Sequence, residues 1–296
     1  MAHLPLLITS LPPRMSRVAA DEKDIGAAYQ RACIESWRAA SFDPVSVNSS
    51  DEDYPHAMRM AKVHRNASAV TGRPHVYFQD MLSIAAAQAQ GKPFCITNAD
   101  ILMLPGSDLA ERVMSLRPGE ILFSRRTDIE QVGSTSGVPY DKGFDFFAMH
   151  PDDLSGVSTQ MIFGAPWWDH FLPLLMYLRG CKIHQADPKK ILHLDHTERW
   201  NWSVWEMLGQ RFLYELQAVN SNLTYQSRIR DAIDRRTGRM MSDLKYRLWK
   251  RLPKNAAGEP GRMLYRVSEL NLSFIEEVSH HGEGTDALRP MHAPAI

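Results

Sequence analysis

The sequence has little cysteine and no excess of either charge, and each of these features excludes classes of protein. The three cysteines, Cys33, Cys95 and Cys181, lie far apart, and no CxxC pair of a zinc site or redox motif is present. We therefore expect reduced core cysteines, which favour a cytoplasmic location. The 34 lysines and arginines balance the 34 aspartates and glutamates. A formal charge of zero gives no general attraction to nucleic acid, so we predict no nucleic-acid partner.

Long apolar runs and two glycine motifs are also missing. No stretch approaches the roughly twenty apolar residues that a membrane-spanning helix needs. The first apolar run reaches Pro12 and Pro13 too soon for a signal peptide. Neither the GxGxxG of dinucleotide-binding folds nor the GxxxxGK[ST] of P-loop proteins occurs. Dinucleotide dehydrogenases and P-loop kinases are therefore poor candidates.

The first hundred residues instead alternate between strand-like apolar runs and segments with helical spacing. Such a rhythm is typical of parallel β-α-β units with right-handed crossovers. We predict an α/β fold with a mostly parallel central sheet flanked by helices. The predicted strands are 4–8, 43–48, 75–78, 94–97, 120–124, 143–149, 183–188 and 191–194. The predicted helices are 24–40, 58–70, 81–90, 108–115, 166–178 and 201–217.

The strongest local pattern surrounds Asn98 and Asp100. An apolar run over 94–97 ends just before them, which places both at the carboxyl edge of a buried strand, where ligands bind in open α/β sheets. Residues two apart share one side of a regular strand. Amide and carboxylate oxygens on one side suit Mg²⁺ or Mn²⁺. The alternative is that the two side chains only cap the next turn.

Two further carboxylates are candidate site residues. Asp145 interrupts an apolar strand, and burying it unpaired is costly, so it should meet a cation, a hydroxyl-bearing ligand or backbone N–H groups. The alternatives are an open strand face or an ion pair with Arg125 or Arg126. Asp169 follows two tryptophans at the start of a helix. These form a candidate sugar-binding wall, or core packing beside a helix cap.

Two histidines lie near the end of a predicted strand, His193 within it and His196 just after it, and both precede three tryptophans. Imidazole nitrogens at a strand end can complete a metal site otherwise made of oxygens. The alternative is that they are hydrogen-bonded packing residues.

The character of the chain changes near residue 227. Methionines and leucines recur at near-helical spacing over 240–252, with lysines and arginines alongside. This amphipathic basic helix is compatible with peripheral contact at the inner membrane surface, and the alternative is a helix packed on the core with a solvated basic side. We divide the chain into an α/β domain, 1–222, and a basic helical extension with a disordered tail, 223–296.

Four segments occur in an order that resembles nucleotide-diphospho-sugar transferases of the GT-A type: 96–101, 143–147, 163–172 and 193–196. The resemblance covers residues 4–215. It implies a GT-A-like fold, a nucleoside-diphosphate sugar as donor, a divalent cation (Mn²⁺ or Mg²⁺), and transfer of the sugar to a hydroxyl of a saccharide or lipid-linked acceptor. In this family a DxD motif bridges the metal and the diphosphate. Here Asn98 replaces the first acid, which leaves open a degenerate or inactive site.

The resemblance also assigns roles to individual residues. It implies metal ligands among Asp100, Asn98, His193 and His196. It implies that Asp145 and Asp169 hold sugar or acceptor hydroxyls, with Asp169 as the base of an inverting transfer or the stabiliser of an oxocarbenium-like centre in a retaining one. We assign binding of the nucleotide donor to Thr9, Ser10, Arg14, Asn48, Asp80, Asn98, Asp100 and Arg126.

Two other functions remain open on the sequence. A sugar nucleotidyltransferase shares the fold, but its glycine-rich, basic signature is missing after Ile8. A non-catalytic nucleotide-sugar-binding or scaffold protein is the other, and Asn98 is its best support.

Overall fold

The structure is a computed structural model that describes residues 4–18, 23–53, 58–196 and 201–219, together with Leu272 and Ile275. The strands are β1 Leu6–Thr9, β2 Asp43–Ser49, β3 Arg59–Val63, β4 Phe94–Thr97, β5 Ile101–Met103, β6 Glu120–Ser124, β7 Thr127–Ile129, β8 Val138–Pro139, β9 Phe146–Met149, β10 Lys182–Gln185 and β11 Ile191–Leu194. The helices are α1 Gly26–Ala39, α2 Ser68–Thr71, α3 Phe78–Ala89, α4 Leu109–Met114, α5 Trp168–Leu178 and α6 Trp202–Val219. Short 3-10 helices span Pro151–Leu154 and Pro188–Lys190.

The central sheet has seven strands in the order β10-β6-β9-β4-β1-β2-β3. Every neighbouring pair is parallel except those of β9, which runs antiparallel to both β4 and β6. A second sheet has the order β5-β11-β7-β8. The predicted α/β class, with a mostly parallel central sheet flanked by helices, is confirmed.

The core lies on both faces of the central sheet. Leu6 and Ile8 of β1 join a cluster that includes residues of α3, α5 and α6. Leu7, on the opposite face, joins a cluster that includes residues of α1, α4 and the second sheet. Because both faces are covered, β1 and β4 are continuous apolar runs without polar alternation. Burying one large apolar side chain in such a core contributes about 1.5–3 kcal/mol.

Two of the predicted elements are wrong. The segment predicted as a helix over 58–70 forms strand β3 and the short helix α2. Because β3 is an edge strand with half-exposed side chains, its basic residues interrupt the strand pattern and imitate helical spacing. The segment 75–78 is no strand: Val76 and Tyr77 form isolated bridges with Asn66 and Ile162, and α3 begins at Phe78.

The three cysteines are buried and unpaired, as predicted. Burial raises the pKa of each thiol, to about 11 for Cys181, so they behave as small core residues. The basic helix predicted over 240–252 and the extension 223–296 lie outside the described residues, apart from the buried Leu272 and Ile275. Within the described ranges, no helix is long and apolar enough to cross a membrane.

Candidate active site

Strand β4 and the second sheet bring distant side chains together. β4 ends at Thr97, and the chain passes Asn98 and Asp100 before it enters β5. β5 pairs antiparallel with β11, and Ile101 lies opposite His193. Asp100 therefore lies beside a histidine that is far from it in the sequence. The Tyr29 hydroxyl holds this junction, since it donates to the Asp100 carbonyl and accepts from Leu194 N, both at 2.7 Å.

Asp100, His193 and His196 form a cluster whose candidate ligand atoms all lie within 4.8 Å of one another. The Asp100 Oδ2 atom is 3.3 Å from His193 Nε2 and 3.7 Å from His196 Nε2. His193 is buried, whereas His196 is exposed. The cluster is thus fixed on its inner side and open to solvent on its outer side.

The second ring nitrogen of His193 is also engaged. Its Nδ1 atom is 2.8 Å from Asp128 Oδ1. Metal-binding histidines usually donate their other ring N–H to a carboxylate, which orients the ring and makes the ligand more basic. In that tautomer Nε2 presents a lone pair to Asp100 Oδ2, and two such acceptors need a proton or a metal ion between them.

The charges of the cluster also suit a cation. Burial lowers the pKa of His193, but the carboxylates of Asp100 and Asp128 outweigh it, and the net shift is upward. Burial raises the pKa of Asp100, but His193, His196 and Arg17 hold it well below its usual range. One carboxylate and two imidazoles fit Mn²⁺ or another transition metal better than Mg²⁺, which prefers oxygen ligands.

Arg17 is a site residue that the sequence analysis missed. Its Nη2 donates to Asp100 Oδ2, and its side chain is only 13% exposed. Its backbone is held by Asp24 Oδ1, which accepts from Arg17 N at 3.1 Å and from Gly26 N at 2.9 Å. A Cβ atom at Gly26 would overlap with the Met15 carbonyl, so this close packing needs glycine. Asp24 and Gly26 are the sequence features that could have indicated a fixed position for Arg17. They follow Arg14, the last loop residue assigned to donor binding.

A second network surrounds Asp145, whose side chain is 3% exposed. Its Oδ1 atom accepts from Asn98 Nδ2 at 2.6 Å and from Arg126 Nη1 at 3.0 Å. Arg126 Nε donates to Asp128 Oδ1 at 2.7 Å, so Arg126 connects Asp145 to the carboxylate that orients His193. The Asp145 Oδ2 atom is buried and has no hydrogen-bond partner in the described part of the chain.

Asn98 belongs to this second network in the structure. Its amide group donates to Asp145, and the clustered ligand set consists of Asp100 and the two histidines. The predicted role of Asn98 as a metal ligand stays a prediction.

Asp169 lies at the start of α5 beside the Asp145 network. Its Oδ2 atom accepts from Phe144 N at 3.3 Å, and a Cβ atom at Gly143 would overlap with it. Burial, with a contribution from the negative charge of Asp145, raises the pKa of Asp169. The two tryptophans before Asp169 are buried in the core, so the sugar-binding wall is wrong and core packing is correct.

No protein-family model and no curated protein matches this sequence. Solved transferase structures are similar to it. A mannosyltransferase from Pyrobaculum calidifontis, solved with GDP-Man and Mn²⁺, is 9% identical over 97% of this chain and 77% of its own, with a TM-score of 0.44. A nucleotidyl transferase from Methanothermobacter is 13% identical over 72% of this chain and 100% of its own, with a TM-score of 0.40. An inositol-1-phosphate CTP transferase from T. maritima is 12% identical over 72% of this chain and 97% of its own, with a TM-score of 0.39.

The remaining predicted donor-binding residues lie outside the Asp100 cluster. Asn48 is buried; its Oδ1 accepts from Ser46 Oγ, and its Nδ2 donates to Leu11 O at 2.7 Å and to Glu52 Oε2 at 3.0 Å. These bonds hold the Asn48 side chain within the protein, and its predicted contact with the nucleotide stays a prediction. Asn48 ties the loop after β1 to β2.

The first-loop residues and Asp80 also differ in their surroundings. Thr9 is fully buried and Ser10 is half-buried. Arg14 is 87% exposed and lies 3.8 Å from Asp24, so Arg17, not Arg14, is the arginine of this loop that reaches Asp100. Asp80, in the first turn of α3, pairs with Arg65 at 3.2 Å.

Proposed function

We propose that this protein is a metal-dependent glycosyltransferase that moves a sugar from a nucleoside-diphosphate donor to an acceptor hydroxyl. The observation that carries the proposal is the convergence of Asp100, His193 and His196 at the carboxyl edge of β4. This edge is the usual ligand-binding edge of open α/β sheets. The orientation of His193 by Asp128 adds the supporting carboxylate that metal sites commonly have.

In this proposal Asp100, His193 and His196 hold the divalent cation. When bound, the cation stabilises the negative charge that develops on the departing diphosphate. Arg17 adds a positive charge on the same side of Asp100. Fixed positive charge of this kind favours the transition state because charge builds on the leaving group as the sugar bond breaks.

Asp169 and Asp145 serve the sugar side of the reaction in this proposal. The raised pKa of Asp169 brings it closer to neutral pH, where a general base can accept the proton of an acceptor hydroxyl most effectively. In a retaining reaction the same carboxylate would stabilise positive charge on the sugar. Asp145 Oδ2 has an unused acceptor position, which a sugar hydroxyl would satisfy after a small movement of the site.

Nucleotidyl transfer is the second candidate, and Arg17 favours it. A basic residue in the loop after β1 is what that reaction uses to hold a triphosphate, and Arg17 supplies one although the glycine-rich signature is absent. The two reactions release different products. Glycosyl transfer releases a nucleoside diphosphate, whereas nucleotidyl transfer from a nucleoside triphosphate to a sugar 1-phosphate releases pyrophosphate.

The test is a product assay on a panel of substrates. The protein is incubated with UDP-, GDP- and CDP-sugars, and separately with nucleoside triphosphates plus sugar 1-phosphates, each with and without Mn²⁺. We expect Mn²⁺-dependent release of a nucleoside diphosphate that is lost in Asp100→Asn and His193→Gln. Asp43→Asn is the control, because Asp43 forms its ion pair with Arg59 at the amino ends of β2 and β3.

Release of pyrophosphate would instead establish the nucleotidyltransferase. If titration calorimetry detects no Mn²⁺-dependent binding of UDP, GDP or CDP, the metal-dependent enzyme is wrong and the binding or scaffold protein is favoured.

A further inference from the structure

We propose that Arg17 is an internal substitute for the metal ion. In the metal-free protein its guanidinium occupies the cation position at Asp100, and on metal binding it moves to the donor's diphosphate. This inference rests on the proposed function, since it concerns the same site.

The first reason is that three groups converge on a single oxygen. Arg17 Nη2 donates to Asp100 Oδ2. This carboxylate oxygen also faces the Nε2 atoms of His193 and His196. A divalent cation held by these three ligands would lie about 2.0–2.2 Å from that oxygen. The guanidinium would then be in contact with the cation. The two positive charges would repel each other, and both would need the lone pairs of Asp100 Oδ2. Arg17 and the metal ion would therefore compete for Asp100 Oδ2.

The second reason is that Arg17 holds Asp100 by one nitrogen only. Its Nη1 donates to the Ser16 carbonyl at 2.9 Å, and its Nε is buried without a hydrogen-bond partner among the described residues. A guanidinium bound to a carboxylate by two parallel hydrogen bonds would be harder to displace. The single bond and the unused Nε indicate an arginine that is placed for a second partner.

The third reason is that the backbone of Arg17 is fixed next to an aromatic ring. Asp24 and Gly26 fix the backbone of Arg17. The guanidinium lies 5.9 Å from the centroid of the Tyr29 ring, close enough for the ring face to attract the positive charge. A released guanidinium therefore remains next to the metal site.

The chemistry of the second partner follows from the guanidinium. Its planar set of N–H donors matches the oxygens of a phosphate group, which it binds with two hydrogen bonds. A nucleoside diphosphate brings such oxygens to the metal ion, directly beside Arg17. The same arginine would then weaken metal binding in the free protein and strengthen diphosphate binding in the metal-loaded protein.

The test measures these two opposite effects in Arg17→Gln. Calorimetric titration with MnCl₂ should show about tenfold tighter Mn²⁺ binding than in the wild type, because a charge-assisted hydrogen bond no longer competes. Titration of the Mn²⁺-saturated protein with UDP and with GDP should show about tenfold weaker binding of whichever nucleotide the wild type binds better, because one charged contact is lost. Arg17→Lys keeps the charge, and its Mn²⁺ affinity should stay close to that of the wild type.

Arg59→Gln is the matched control, because Arg59 forms an arginine–aspartate ion pair with Asp43 at the other end of the strands. It should change neither affinity. Circular dichroism and thermal melting check the fold of each variant. If Arg17→Gln is unfolded, nucleotide binding is measured with Arg17→Lys instead. We expect weaker nucleotide binding in Arg17→Lys, because a lysine cannot form the two parallel hydrogen bonds of a guanidinium.

Three results would overturn the inference. If Arg17→Gln binds Mn²⁺ no better than the wild type, Arg17 only supports Asp100. If it binds Mn²⁺ more tightly but nucleotides equally well, Arg17 does not move to the diphosphate. In both cases the proposed function stands, provided that His193→Gln removes Mn²⁺ binding. If no variant binds Mn²⁺, and the wild type does not either, the inference and the metal-dependent function fail together.

Discussion

Asp128 provides a stringent test of the metal site because it lies outside the proposed ligand set and orients one of its ligands, His193. Its Oδ1 atom lies 2.8 Å from His193 Nδ1 and 2.7 Å from Arg126 Nε. In Asp128→Asn the amide oxygen can still accept these hydrogen bonds, but the negative charge is lost. The His193 ring then has less restraint on its tautomer and is a weaker ligand.

The expected loss of Mn²⁺ affinity can be estimated from other metal sites in which a carboxylate accepts a hydrogen bond from a metal-binding histidine. Loss of that carboxylate usually weakens metal binding about 10–100-fold, which corresponds to about 1.4–2.8 kcal/mol. We therefore expect the Mn²⁺ affinity of Asp128→Asn to fall within this range in calorimetric titrations.

The control for Asp128 is Asp108→Asn. Asp108 also accepts a hydrogen bond from a cation, Lys190 Nζ at 2.7 Å, but it is exposed and lies at the start of α4. Mn²⁺ affinity in this variant should equal that of the wild type. If Asp128→Asn also binds Mn²⁺ as tightly as the wild type, His193 does not bind the metal through Nε2 while its Nδ1–H donates to Asp128.

Three further predictions concern the surroundings of the site. Gly143→Ala should push Asp169 from its position, lower turnover, and cost about 1–3 kcal/mol in urea unfolding, as overpacking does. Tyr29→Phe should cost about 1–3 kcal/mol by leaving the Asp100 carbonyl and Leu194 N without their partner, and it should weaken Mn²⁺ binding; unchanged unfolding would refute this. Burial raises the pKa of Glu215, so its contribution to stability is present below its unfolded pKa and is lost as pH rises through its folded pKa. Wild type should therefore lose more stability than Glu215→Gln as pH rises from below the ordinary glutamate pKa, about 4.3, to neutral pH, and equal losses would contradict a raised pKa for Glu215.

Local patterns predicted the parts of the fold that depend on neighbouring residues. β4, β6 and β11 were predictable because buried strands are short apolar runs bounded by turn-forming residues. The position of Asp100 at a strand edge followed from the same run. β3 was not predictable in this way, since an edge strand carries charged residues that break the pattern.

The site itself depends on long-range pairing. Asp100 meets His193 only because β5 and β11 pair in the second sheet, and no local pattern contains that pairing. Arg17 reaches Asp100 because Asp24 and Gly26 fold a loop that has no periodicity. The sequence therefore indicated that an arginine of the first loop belongs to the site. Only the tertiary fold shows that this arginine is Arg17 and not Arg14.

The central claim is that Asp100, His193 and His196 hold one divalent cation. The most direct measurement is anomalous diffraction at the manganese absorption edge from crystals soaked in MnCl₂. We predict a single strong peak within coordination distance of Asp100 Oδ2, His193 Nε2 and His196 Nε2, with the Arg17 guanidinium displaced from Asp100. A peak at other residues, or no peak in crystals soaked at saturating Mn²⁺, would contradict the account.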